Sequence, residues 1–268
     1  MRIDELKGYT LPLSEDGESS LVQAPPWYFG GHVVEIAFRV EPAVFRRLLP
    51  EPLAPSPHGY LAAVSIVDMT SVADAETAYL RPERSQFHEC LIKMYCTFEG
   101  VAGWYVPATW VDKDFSLMRG FLMGFGKKLA QISVTRLHPL NRAIGGVQAG
   151  AKISAICEAF GQARIAARFC YERRESEDMY AGAGMYLMRH YPTPDGSGVA
   201  VRELVAIEAR DAVKDAIWSG RGEVEIEQSR FDAVTRLQPL EVISARVFDE
   251  GFTLLGTKVI HRYDSPKR

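Results

Sequence analysis

Arg119-Gly120-Phe121-Leu122-Met123-Gly124-Phe125-Gly126-Lys127-Lys128-Leu129 sets two adjacent ammonium groups at the end of an almost uncharged run. A free lysine has a pKa of about 10.4, so at pH 7 roughly one molecule in a few thousand presents a neutral amine. Burial and a neighbouring cation both push that value down, and a lysine so shifted attacks carbonyl carbon to form an imine. The same pair also fits a helix C-terminus, where cations suit the dipole and glycines such as Gly124 and Gly126 end the helix. The composition favours the chemical reading: nine lysines stand against twenty-two arginines, so lysine is used sparingly.

Upstream of the pair, Asp112 and Asp114 are placed to cap a helix over 112–123. Phe115, Met118, Leu122 and Phe125 recur there at helical spacing and read as core. Elsewhere the pattern is one of short strands, predicted at 33–40, 60–68, 87–98, 103–110, 131–137, 147–159, 163–171, 185–191, 201–209, 222–227, 240–247 and 254–261. A proline-initiated helix is expected over 42–49, stopped by Pro50-Glu51-Pro52. Turns are read at Glu99-Gly100, Gly145-Gly146, Pro194-Asp195-Gly196 and Asp249-Glu250-Gly251. The fold class is therefore α+β, mainly antiparallel β, with the sheet curled on itself to remove edges and a few flanking helices. Residues 1–24 read as a polar, irregular, surface-wrapping arm, and 25–268 as a single domain.

A net charge of -3 and a pI near 6.1 give no general attraction to nucleic acid or an anionic membrane, and point to small-molecule chemistry. No apolar run is long enough to span a bilayer, and the charged N-terminus lacks a signal-peptide core, so a cytoplasmic location is expected. Cys90, Cys96, Cys157 and Cys170 show no paired spacing and read as buried reduced thiols. His88-Glu89-Cys90 alternate in direction on a strand and cannot share one ion, so no metal is expected. The absence of Gly-rich phosphate loops, GxSxG and HExxH leads to a cofactor-independent reading.

Gly124-Phe125-Gly126-Lys127-Lys128-Leu129 resembles the Gly-Tyr-Pro-Lys-Lys-Leu core of the acetoacetate decarboxylase superfamily, and other blocks agree in order and spacing. These are Pro50-Glu51-Pro52-Leu53, then Glu89 before the lysines, then Met185-Tyr186-Leu187-Met188-Arg189-His190-Tyr191-Pro192 with Asp195-Gly196 and Arg202-Glu203-Leu204, and finally Ala216-Ile217-Trp218-Ser219-Gly220. The similarity runs from about residue 25 to the end. It implies a cone-like antiparallel sheet, an imine-forming lysine at Lys127, Lys128 as the cation that perturbs it, Glu89 beside the imine, and a homo-oligomer. Activation of a lysine by a cationic neighbour is that family's known mechanism and comes with the resemblance.

The departures are as informative. The family's carboxylate-binding arginine falls at about Gly31, beside His32, and a second acidic residue falls near Ala63. The Gly-Arg-Glu before the lysines aligns with Arg119-Gly120-Phe121, and the proline before them is Gly126. Arg119 is the candidate replacement for the missing clamp, because its planar fork binds carboxylates bidentately. His32, after two glycines, and Phe87, two residues from Glu89 on one strand face, complete the candidate substrate contacts. The expected function is imine chemistry on a small keto acid or related carbonyl compound, as a decarboxylase-type carbon–carbon lyase. Enamine chemistry by an aldolase–dehydratase, a cyclase, and a non-catalytic ligand-binding protein are the alternatives.

Overall fold

The computed structural model describes residues 2–74, 78–161 and 164–263. Its strands are β1 Trp27–Arg39, β2 Ala54–Pro55, β3 Leu61–Val72, β4 Gln86–Phe98, β5 Val101–Val111, β6 Lys127–Leu129, β7 Gln131–Val134, β8 Lys152–Glu158, β9 Arg164–Arg174, β10 Gly184–Pro192, β11 Val199–Ile226 and β12 Glu241–Arg262. The helices are α1 Pro42–Leu48, α2 Pro82–Ser85 and α3 Asp114–Met123. The strands form one curled, mixed sheet in the order β10-β5-β4-β3-β1-β12-β11-β9-β8-β7. Because β10 pairs with both β5 and β11, seven strands from β10 round to β11 close into a ring, and β9, β8 and β7 continue beyond it.

Strand alternation then sorts the side chains onto two faces. One face gathers Val33, Val67, Phe87, Leu91, Val205, Leu187 and Phe248 into a single cluster drawn from the whole ring, which is the interior. The other face of the same strands carries Val34, Ile36, Ile66 and Ile92, packed on Ile132, Ile153, Ile165 and Phe169 of the β7–β9 extension, which covers the ring from outside. Being apolar on both faces explains why these ring strands read as near-continuous hydrophobic runs. Helix α3 adds Phe115 and Met123 to the interior cluster and so lies across one mouth of the ring.

Two strand expectations merge. The stretches 201–209 and 222–227 are one strand, β11, bent by irregularities at Arg210/Val213 and Asp215/Trp218, where Asp211 and Ala216 adopt positive φ. Likewise 240–247 and 254–261 are one strand, β12, and Asp249-Glu250-Gly251 is not a turn: Gly251 pairs with Gly30 on β1 and Val213 on β11. Acidic and glycine residues read as a turn when their ladder partners lie far away in sequence. The strand expected at 147–159 begins at Lys152, and that at 163–171 begins on a residue outside the described set. The tight turn Glu99-Gly100 joins β4 to β5 with both residues at positive φ. The cysteines are free; Cys90, Cys96 and Cys157 are buried.

The interior also holds an ionic network. Glu35 on β1 binds Lys93 of β4, Arg246 of β12 and Ser65 of β3, and Asp178 links Arg246 to Lys214. Glu35, Lys93 and Arg246 are all buried. Burial alone raises the Glu35 pKa, but Lys93 and Arg246 outweigh it and hold the carboxyl far below the ordinary range. Its contribution to stability is therefore present above the unfolded glutamate pKa and is lost as pH falls below it. Removing one partner leaves charge uncompensated, so Lys93→Met is expected to destabilise by about 3–5 kcal/mol in chemical denaturation at neutral pH. The difference from the parent protein should shrink as the pH is lowered through the acid range.

Candidate active site

Glu89 lies on the interior face of β4, and β6 runs parallel to β5 beside it, pairing Lys127 with Thr109. Lys127 Nζ donates to Glu89 Oε2 at 2.6 Å and to Ser116 Oγ of α3 at 2.9 Å. The Lys127 side chain is 5 % exposed and that of Glu89 9 %. Helix α3 ends at Gly124, whose φ of 103° and N–H bonds to Gly120 and Phe121 turn the chain back towards the sheet. Gly120 makes room for the returning lysine, since a Cβ there would stand 2.4 Å from Lys127 Cδ and Cε.

Arg119 follows Ser116 by three residues and shares its helix face. It is 5 % exposed, its Nη1 donates to Ser71 Oγ at 2.8 Å, and its buried Nη2 has no partner among the described residues. Its guanidinium sits among the rings of Trp27, Phe29, Phe87 and Phe115, 4.7 Å from the Phe29 centroid. Phe87 is shared: Arg119 Cζ lies 5.6 Å and Lys127 Nζ 5.7 Å from its ring centre. The same interior face therefore carries Glu89 and Phe87.

Burial pushes the Lys127 ammonium below its usual range; Glu89 opposes this and the Arg119 charge reinforces it. Burial likewise pushes Arg119 down to about 10, against the pull of Glu89. These are the two mechanisms that make an amine nucleophilic, desolvation and a cationic neighbour. The neighbour is Arg119 and not Lys128. On a strand, adjacent side chains point to opposite faces, and Lys128 Nζ turns outward, half-exposed, to Asp232 Oδ1 at 2.6 Å and the Phe231 carbonyl at 3.2 Å.

His32 is not brought to the lysine either. It pairs in register with Asp249 and Asp68, and Asp68 with His88, so this row occupies the outward face, one residue out of phase with Glu89. His32 Nδ1 lies 2.8 Å from Asp249 Oδ1. His88 meets Asp112, which accepts from its backbone N–H and its ring and raises its pKa. That engagement takes Asp112 away from the helix-capping role expected of it; α3 starts at Asp114 with no side-chain cap.

Two participants escaped the sequence reading. Ser116 was legible only as a partner of Arg119 at i, i+3 spacing. Ser71 carried no signal. Outside the site, Glu250, read as part of a turn, is half-buried beside Lys214 at the Glu35 network, with its pKa raised by loss of hydration. At Gly31, a Cβ would stand 2.6 Å from Met69 Sδ and 2.8 Å from the Asp68 carbonyl, so Met69 occupies the space a side chain on β1 needs. No arginine fits there, and Arg119 approaches from the helix instead.

The acetoacetate decarboxylase family model matches residues 10–263. The chain belongs to that family. Among curated relatives of this acetoacetate decarboxylase family member, the acetoacetate decarboxylase of Chromobacterium violaceum is 29 % identical over 84 % of each chain. That of Ralstonia nicotianae is 26 % identical over 85 % of each. The enduracididine biosynthesis enzyme MppR, solved with pyruvate, is 30 % identical, with a TM-score of 0.89 over 97 % of this chain and 99 % of the other. A second MppR structure holds the condensation product of pyruvate and imidazole 4-carboxaldehyde, with a TM-score of 0.90 over 97 % and 98 % of the two chains. An acetoacetate decarboxylase-like enzyme from Sphingomonas wittichii is 26 % identical, with a TM-score of 0.86 over 96 % of this chain and all of that one. These homologues are enzymes.

Two variants separate the cations. Arg119→Met removes a charge that lowers the Lys127 pKa, so the pH profile of amine reactivity at Lys127 should move to higher pH and the rate at pH 7 should fall. Lys128→Met should leave that profile in place. It strands the Asp232 carboxylate, 4 % exposed in its side chain, and should cost about 1–3 kcal/mol of stability, read by denaturant titration.

Proposed function

We propose that the chain is an imine-forming lysine enzyme acting on a small 2-oxo acid, and that the imine serves carbon–carbon bond formation or cleavage through an enamine. The observation that carries this reading is the enclosed trio of Lys127, Glu89 and Arg119, with one guanidinium nitrogen unpartnered among the described residues.

Neutral Lys127 attacks the ketone carbon, its N–H protons pass to the carbonyl oxygen, and water leaves as the imine forms. Glu89, 2.6 Å from Nζ, holds the proton in transit, while Ser116 orients the nitrogen. Protonated, the imine draws electrons from the neighbouring C–H bond. Glu89 is within reach to take that proton, leaving an enamine whose carbon attacks an aldehyde. Loss of the new hydroxyl as water gives the dehydrated product, and addition of water to the imine restores the amine. Arg119 binds the substrate carboxylate by charge-assisted hydrogen bonds and holds the carbonyl against Nζ.

Retention of the carboxylate follows from the electron count. In a 2-oxo acid the carboxylate is attached to the imine carbon itself, so the electrons released on losing carbon dioxide have no acceptor beyond that carbon. The MppR complexes, one with pyruvate and one with a pyruvate condensation product, support the same reading. The second reading, decarboxylation of a 3-oxo acid, is favoured by the names of the curated relatives; there the released electrons enter the C=N bond directly.

Borohydride added during incubation with pyruvate or acetoacetate should give a reduced adduct on Lys127, located by peptide mass spectrometry. Carbon dioxide release from acetoacetate without condensation of pyruvate with an aldehyde would favour the second reading. Failure of both compounds to modify Lys127 would remove imine chemistry altogether.

A further inference from the structure

A cavity of about 130 Å³ opens beside Arg119, lined also by Trp27 of β1 and Phe115 of α3. Its roof is the N-terminal arm around Ser20 and its floor includes Ser71 and Phe115. Arg81 and Arg84 stand at its edge. Three arginines against the single acid Glu18 leave its described lining with a net positive charge. The arm is held there by specific bonds. Arg84 Nη2 donates to the Ser20 carbonyl at 2.6 Å, the Trp27 indole donates to the Gln23 carbonyl at 2.9 Å, and Ser20 and Val22 are buried. Ser20 is tied further into the arm through the Thr10 backbone N–H, at 2.8 Å.

Among the described residues, one polar group on this wall lacks a partner: Arg119 is 5 % exposed, its Nη1 is taken by Ser71, and its Nη2 has no acceptor there. A buried donor on a cation strongly favours an incoming anion, because the ligand supplies the bond that folding leaves unmade. The guanidinium also packs on the same Phe87 ring as Lys127, and its charge is felt at the amine, so an anion held at Arg119 is bound beside the nucleophile.

We propose that this arm-roofed cavity is the vestibule that selects the substrate by its carboxylate. Arg81 at the edge draws the anion in, Arg84 keeps the arm in place, and Arg119 receives the carboxylate and presents the carbonyl to Lys127. The N-terminal arm is then a specificity element for a 2-oxo carboxylate. This rests on the imine reading for what happens to the substrate, but not for its binding.

Oxamate separates the two, since it has the shape and charge of pyruvate but an amide carbonyl that forms no imine. Its binding is followed by ligand-observed NMR in the full chain and in two variants. Arg81→Glu changes an exposed residue and should leave the fold intact, while Arg84→Gln releases the arm. Each is expected to weaken oxamate binding roughly ten-fold, Arg81→Glu by reversing the charge that attracts the anion and Arg84→Gln by freeing the arm that roofs the cavity. Equal affinity in all three proteins, or no binding to the parent chain, overturns the vestibule. Oxamate binding with this pattern but no pyruvate adduct at Lys127 removes the imine reading and leaves the vestibule standing. A pyruvate adduct without oxamate selectivity does the reverse.

Discussion

Two cations and one carboxylate are sealed together where Lys127, Arg119 and Glu89 meet, and the surplus positive charge in that apolar space governs the site. A guanidinium gives up its proton far less readily than an ammonium. That surplus lowers the Lys127 pKa and favours an anion near Arg119. In the proposed function the first effect supplies the nucleophile and the second binds the substrate carboxylate.

The fold's part is to keep water out and hold the three groups at fixed distances. Seven strands closed into a ring offer an interior face with no free edge, and α3 covers one mouth with Phe115 while bringing Ser116 and Arg119 in on the same helical face. Aromatic rings of Trp27, Phe29, Phe87 and Phe115 surround the guanidinium, offering it cation–π contact in place of hydration. Gly120 lets the lysine stem pass close to the helix. The second ionic cluster, around Glu35, differs in that its carboxylate accepts directly from two cations, Lys93 and Arg246.

Much of this was legible in the chain. The adjacent lysines, Glu89 and Arg119 are marked by residue type in apolar surroundings, and period-two alternation correctly groups Phe87 with Glu89. What alternation also says, that Lys128 must face away from Lys127, was hidden by the resemblance, which assigns Lys128 the perturbing role. His32 shows the same limit: its loop-like Gly-Gly context suggested proximity to a ligand, but its place on β1 sets it on the outward face with Asp249 and Asp68. Ser71 and Glu250 depend on contacts between segments far apart in the chain, which no local pattern records. The long strands β11 and β12 were split because their bends use the residues that ordinary turns use.

Strand β11 pairs with β10 near its start, with β12 from Glu203 to Ser219 and with β9 from Trp218 to Ile226, so a single continuous piece of backbone serves both the ring and the outer layer. Such a shared member makes the two layers mechanically one. A displacement of the covering sheet is carried along this one backbone, through its bends at Asp211 and Ala216, to the ring that encloses Lys127 and Glu89.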